Sequence, residues 1–245
     1  MTAVAAGATA ARVLTQLRRD PRTIALLLLV PVGLVTLLRY VFDGDPFVFQ
    51  RIGGPLLGLF PFISMFVVTS ITMLRERSSG TLERLLTLPL AKLDLLLGYG
   101  AAFALVAAVQ AALVSAVAFG LLDLHTSGSK WLVAVLAIGN AELGMALGLL
   151  VSAFARTEFQ AVQFMPAFVL PQLLLCGLLV PRDRMAHALR IVSDALPLSY
   201  SYDALARVTG GLPLGPRFAA DVSVTVGATL LALVVGAATL RRRTS

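Results

Sequence analysis

The sequence predicts an all-α membrane protein with six transmembrane helices, and three observations predict it. First, 58% of the 245 residues are apolar and only 13% are charged, about half the charged share of an ordinary soluble domain. A chain of this size needs a more polar surface to stay in water as a globule, so the bilayer is the solvent that fits. Second, six mostly apolar runs reach the roughly 20 residues needed to cross the hydrocarbon: 23–42, 53–74, 93–122, 131–154, 161–180 and 219–240. Third, the twenty Lys and Arg residues gather at the edges of those runs, as the positive-inside bias requires.

Ahead of the first run, residues 8–20 have the pattern of an interfacial helix, with Val13, Leu14 and Leu17 set against Arg12, Gln16 and Arg19. The first run comes after a basic lead but ends in Arg39-Tyr40-Val41-Phe42-Asp43 without a small-residue cleavage site, so it reads as a retained helix. Pro31, Pro61, Pro166 and Pro171 fall inside runs, where neighbouring helices must satisfy the carbonyls they free. Pro166 and Pro171 make the fifth run the one expected to kink or break. The third run is long enough to tilt or extend beyond the bilayer.

Between the fifth and sixth runs, Met185, Leu189, Val192 and Leu196 recur at helical spacing with Arg182, Arg190 and Asp194 between them. Pro197 and Gly210-Gly211 punctuate the rest of that segment, and Tyr200 and Tyr202 suit a membrane interface. One or two short extracellular amphipathic helices are predicted there. Charge sets the orientation. Arg12, Arg18, Arg19, Arg22, Arg75, Arg77, Arg84, Lys92, Arg156 and Arg241–Arg243 fall on one side, whereas the two short loops opposite carry Arg39, Arg51 and Lys130. Arg182, Arg184, Arg190, Arg207 and Arg217 dilute this contrast, accompanied by Asp183, Asp194 and Asp203. N-in, C-in is the predicted topology. The chain reads as a single transmembrane domain over 1–245, with no visible internal repeat.

The formal charge of +7 and pI near 10.5 do not form a basic stripe on a soluble domain, so no nucleic-acid partner is expected. Cys176 is the only cysteine, which excludes an internal disulfide and a zinc cluster. His125 and His187 lack ligand-spaced partners, and no metal site is expected. The sequence has no G-x-x-x-x-G-K-[ST], H-E-x-x-H or G-x-S-x-G motif and no paired carboxylates within a run. No catalytic residue is therefore expected on this chain, and any energy it uses must come from a partner.

The loop after the second run reads Arg75-Glu76-Arg77-Ser78-Ser79-Gly80-Thr81-Leu82-Glu83-Arg84-Leu85-Leu86-Thr87-Leu88-Pro89. Ser79 or Thr81 can cap a short helix whose first turn holds Glu83. Leu82, Leu85 and Leu86 give that helix an apolar face, and Pro89 ends it. Such a face either lies on the lipid surface or docks a cytoplasmic partner, and docking is favoured. The pattern E-R-x-x-G-T-L-E-x-L-x-x-x-P resembles the permease subunits of ABC-2 type exporters, similar to the daunorubicin-resistance permeases. Glu76, Gly80, Thr81, Leu82, Glu83, Leu85 and Pro89 match it position for position, with Leu86 on the same apolar face.

The resemblance extends over the whole chain, from the basic N-terminal helix to the Pro197 segment. It implies that the loop is a cytoplasmic coupling helix inserted into an ATPase subunit, with ATP and Mg held on that partner and no cofactor here. It also implies a second permease copy, as a homodimer or related heterodimer, in the plasma membrane of a bacterium. The expected function is ATP-driven export of a drug-like or lipid-like substrate. Export of a lipid-linked glycoconjugate or polysaccharide is the alternative within the same machinery. A self-contained carrier or membrane enzyme and a non-transporting scaffold are the alternatives outside it.

Polar groups inside runs are costly and point to function or packing. Asn140 and Glu142 lie near the middle of the fourth run. Asn140, Gly144, Gly148 and Ser152 recur at i+4 spacing, a stripe that lets another helix approach closely, while Glu142 lies on a different face. Ala104, Ala108, Ala112, Ala116 and Gly120 suggest a similar packing stripe in the third run. Gln163 and Gln172 flank the prolines of the fifth and either bond freed carbonyls or face a cavity. Asn140, Glu142, Gln163 and Gln172 are thus the candidates for a substrate path or interface.

Overall fold

A computed structural model describes residues 3–81, 92–155 and 157–239, and every regular element among them is a helix. In chain order these are α1 (Ala3–Arg18), α2 (Pro21–Val41), α3 (Pro46–Ser78), α4 (Lys92–Gly120), α5 (Lys130–Ser152), α6 (Glu158–Leu175), a 3-10 turn (Arg182–Arg184), α7 (His187–Ala195), α8 (Pro197–Thr209) and α9 (Pro216–Thr239). Local signals explain the boundaries. Pro21, Pro46, Pro197 and Pro216 open four helices, at positions where a missing N–H leaves no bond unmade. Asp20, Ser129 and Thr157 cap α2, α5 and α6, their side chains accepting from Thr23, Leu132 and Gln160 backbone N–H groups.

Among the described residues, five helices are long and apolar enough to cross a membrane: α2, α3, the Leu97–Gly120 part of α4, α5 and α9. The fifth expected span differs from its prediction. It begins earlier, at Glu158, and ends at Leu175 rather than near 180, giving 18 residues. Three glutamines and two prolines make it less apolar than its neighbours. Gly177 then turns the chain at φ +107°, in the region glycine enters most easily.

Elements α2 to α6 run alternately up and down, so one end of the bundle holds α1, the C-termini of α3 and α5 and the N-terminus of α6. The other end holds α7, α8 and the N-terminus of α9. Helix α3 is the centre: 67% of its apolar window is buried and 56% of that of α5, against 17% for α2 and 22% for α9. The outer pair therefore presents apolar side chains such as Leu29, Leu37, Leu230 and Val234 to the surroundings, as helices solvated by lipid do.

The α3–α5 contact rests on the predicted stripe. A Cβ on Gly144 would sit 2.1 Å from the Phe62 carbonyl oxygen, and one on Gly148 would sit 2.4 Å from that of Phe66. The two backbones touch, which only glycine permits. In α4 the expectation fails. Ala112, Ala116 and Gly120 are exposed, and the helix packs instead through Phe103, Ala107, Ala111, Val114 and Ala118. Almost every position of α4 is small or apolar, so spacing alone does not single out one face.

Two helices lie where short amphipathic ones are predicted. Leu189, Ile191 and Val192 of α7 stay exposed, whereas α8 buries Leu198, Tyr202, Leu205 and Val208 against α3, α5 and α9. Helix α8 is thus sunk into its end of the bundle.

Candidate functional site

At the α1 end, the E-R-x-x-G-T motif begins inside the bundle. Glu76 is only 5% exposed, enclosed where α1 packs on α4 beside the end of α3. Arg12 Nη1 donates to Glu76 Oε1 at 2.6 Å, and Arg12 Nη2 donates to the Tyr99 hydroxyl of α4 at 3.0 Å. Burial works against the Arg12 guanidinium, but its hydrogen bonds and charge interactions with Glu76 and Tyr99 together outweigh it and hold its pKa above the ordinary arginine value. This guanidinium joins three helices and leaves Glu76 facing α1 rather than outward.

The neighbouring motif residues have their own local roles. Arg75 grips Glu158 at the start of α6 through two bonds of 2.7 and 2.9 Å. Gly80 takes φ +70°, ending α3 and redirecting the chain, and Ser79 Oγ pairs with Thr81 Oγ1 at 2.9 Å. A cavity of about 380 Å³ opens beside them, lined by Gln16, Asp20, Thr23, Arg75, Ser79 and Thr81. Leu82, Glu83, Leu85, Leu86 and Pro89 lie outside the described residues.

Midway along the bundle, Asn140 and Glu142 diverge as expected. Asn140 is 2% exposed and its Oδ1 accepts from Ser201 of α8, buried alongside it. Glu142 is half-buried on another face and borders a groove between α5, α8 and α9. The structure does not bring Gln163 and Gln172 together. Gln163 is exposed on α6, whereas Gln172 is buried and donates to Phe168 O at 3.2 Å. That carbonyl is not one freed by either proline, which would be those of Val162 and Ala167.

One polar contact has no counterpart in the predicted site. Gln110 of α4, fully buried, donates from Nε2 to Leu27 O and to Ser64 Oγ, both at 3.0 Å. Leu27 is four residues before Pro31, so its carbonyl is the one that proline leaves unbonded. Gln110 repairs the break from a neighbouring helix. The helical offset of Pro31 marks Leu27 O as needing a donor, but nothing in the sequence says which helix supplies it.

At the α8 end, Arg182 binds both Asp203, at 2.8 Å, and Asp194, and stacks over Tyr200 at 5.3 Å. Burial pushes the Asp203 carboxyl above the usual carboxylate range despite Arg182, and pushes the Tyr202 phenol up to about 12. Ser193 Oγ of α7 donates to Leu175 O at 2.7 Å, fastening the end of α6. Arg51, Arg182, Arg190 and Arg217 line a cavity of about 550 Å³ with Asp183, Asp194 and Asp203.

A bundle of apolar, membrane-length helices with its buried polar groups used mainly to join helices defines a polytopic helical membrane protein. The chain belongs to the ABC-2 type transporter family, whose sequence profile matches residues 5–208. It is 28% identical over 148 residues to the Escherichia coli (strain K12) protein named "Probable multidrug ABC transporter permease YbhR". That match covers 60% of this chain and 40% of the relative. It is 26% identical over 151 residues to "Probable multidrug ABC transporter permease YbhS" of the same strain, with the same coverage. A third relative, "ABC transporter G family member 20" of Dictyostelium discoideum, is 24% identical over 147 residues, 60% of this chain and 20% of that protein. The chain thus aligns with less than half the length of these relatives.

Proposed function

We propose that the chain is the membrane subunit of an ATP-driven exporter that moves a drug-like or lipid-like amphiphile out of a bacterial cell. It sits in the inner membrane with both termini inside, and residues 1–245 act as one transmembrane domain. ATP and Mg are bound by a separate ATPase subunit, and the chain itself is not an enzyme. A second permease copy, identical or related, completes the path. Gln163 and the exposed Phe168, Leu170 and Leu174 on α6 suit contact with that copy.

The observation that carries this reading is the family match over residues 5–208, within which the coupling-helix motif continues directly from the buried Glu76. The names of the Escherichia coli relatives support the drug-like substrate class. Helix α6 supports a sixth span: Arg75 holds its first residue at one end of the bundle, and Ser193 holds its last at the other. Eighteen helical residues cover about 27 Å, close to the roughly 30 Å hydrocarbon thickness.

Co-purification with an ATPase subunit and export assays in the reassembled complex test the proposal. Glu83→Ala and Leu85→Asp variants that still insert correctly should lose ATP-dependent export. Full export by both would overturn the coupling role.

A further inference from the structure

We propose that the groove between α5, α8 and α9 binds an amphiphilic cation drawn from the bilayer, with the Glu142 carboxylate as its counter-charge. Its use in transport rests on the exporter reading, but binding itself does not need a partner. The groove has a volume of about 380 Å³, within the usual range for small-molecule sites. Its mouth is apolar and open sideways: Val135, Val226 and Leu230 are 43%, 52% and 57% exposed.

Glu142 is the only ionisable group among the described lining residues. Its Oε1 is buried with no hydrogen-bond partner, and it forms no ion pair among the described residues. Glu76, Glu158, Asp194 and Asp203 by contrast each face an arginine, and Asp221, whose Oδ2 is also buried without a partner, does not line this groove. An unpaired carboxyl near the middle of a membrane-length helix is costly, and a cation arriving from the lipid would supply what is missing.

The surroundings favour that occupant. The carboxylate has little room behind it, since a Cβ on Gly100 of α4 would sit 3.1 Å from Glu142 Oε2. The hydroxyls of Thr225 and Thr229 donate to carbonyls of their own helix at 2.9 Å, which leaves oxygen lone pairs rather than protons for a guest. At Gly139, on the exposed side of the groove, an added Cβ would meet nothing within 4 Å. There is space for a bulky apolar body beside the charge. A lipid tail would use only the apolar walls, and a second copy of the chain would cover them.

The test uses the full chain in nanodiscs of zwitterionic lipid, titrated with tetraphenylphosphonium and with the anion of matched shape, tetraphenylborate, each corrected for empty discs. Saturable binding of the cation alone is expected. Glu142→Gln, which keeps the shape, should weaken it by about tenfold or more, and Gly139→Phe, which keeps the charge and fills the groove, should abolish it.

The proposal is overturned if the wild-type chain shows no saturable cation binding, or if either variant binds the cation as wild type does. Equal binding of tetraphenylborate would reduce the groove to an apolar slot for acyl chains. Cross-linking of a Val226→Cys variant between copies, undiminished by the cation, would make it an interface and also overturn the proposal. Co-purification of an ATPase with the same variants separates failure of this site from failure of the exporter reading.

Discussion

Pro31 removes one backbone hydrogen bond from α2, and Gln110 restores it from α4. A buried carbonyl left without a donor costs on the order of 1–3 kcal/mol, so Gln110→Leu should lower the thermal stability of the purified protein by about that amount. The cause can be isolated. In a Pro31→Ala background the Leu27 carbonyl regains its own helical N–H, and the same Gln110→Leu change should cost clearly less. Equal losses in both backgrounds, measured by melting in detergent, would mean that Gln110 acts through Ser64 or through packing alone.

Asp20 makes a second residue-scale case, at the corner between α1 and α2. Hydrogen bonds from the Thr23 side chain and backbone hold its carboxyl below the ordinary aspartate value. A depressed folded pKa means that the stabilisation is present above the unfolded pKa and is lost as pH falls through the folded one. Amide protection factors at Thr23 and Ile24, taken against the intrinsic exchange rate at each pH, should therefore fall on acidification into that range. In Asp20→Asn, whose amide caps without titrating, that fall should vanish.

At the scale of elements, the α3–α5 contact turns on two glycines whose would-be Cβ atoms collide with backbone. Gly144→Ala should push the helices apart and destabilise by about 1–3 kcal/mol. Gly139→Ala, five residues away on the same helix but facing open space, should be neutral or stabilising by roughly 0.5–1 kcal/mol. Melting curves of the two variants decide it, and equal losses would show that helix propensity rather than close approach dominates.

This pair also shows what sequence makes visible. Hydropathy and proline placement locate the helices, because the cost of exposing backbone to lipid is a property of each segment by itself. The stripe on α5 is visible because glycines stand out there against larger residues. The packing face of α4 is not, since Ala104, Ala107, Ala108 and Ala111 are equivalent until a neighbour chooses among them. Pairings such as Arg12 with Glu76, or Asn140 with Ser201, leave no trace in spacing because 64 and 61 residues separate the partners. The end of α6 is blurred for another reason: Leu178, Leu179 and Val180 keep the run apolar after Gly177 has already turned the chain.

Across the whole molecule, α3 is fixed at both ends. At the α1 end its last turn holds Arg12 and Tyr99 through Glu76 and holds α6 through Arg75. At the opposite end Gln50 braces the loop before α5, donating to Asp123 O at 2.7 Å and accepting from the His125 N–H at 2.8 Å. A push delivered to the residues after Gly80 therefore enters a helix that runs the length of the bundle.

The two attachments at the α1 end differ in kind. Arg75 and Glu158 are 61% and 51% exposed, and such a pair is worth about 0–1 kcal/mol. The Arg12–Glu76 pair is largely enclosed, so losing one partner strands the other charge. If the exporter reading holds, Glu76→Gln should loosen α1 from α3 and α4 while leaving residues 81–89 chemically intact. ATP hydrolysis by the complex should then continue while substrate moved per ATP falls, by a coupling loss of about 1–3 kcal/mol. Arg75→Ala should change that ratio far less. Measuring transport and hydrolysis together in proteoliposomes distinguishes this from a docking role. A docking residue would lower both rates in parallel, and that result would put Glu76 back at the partner's surface.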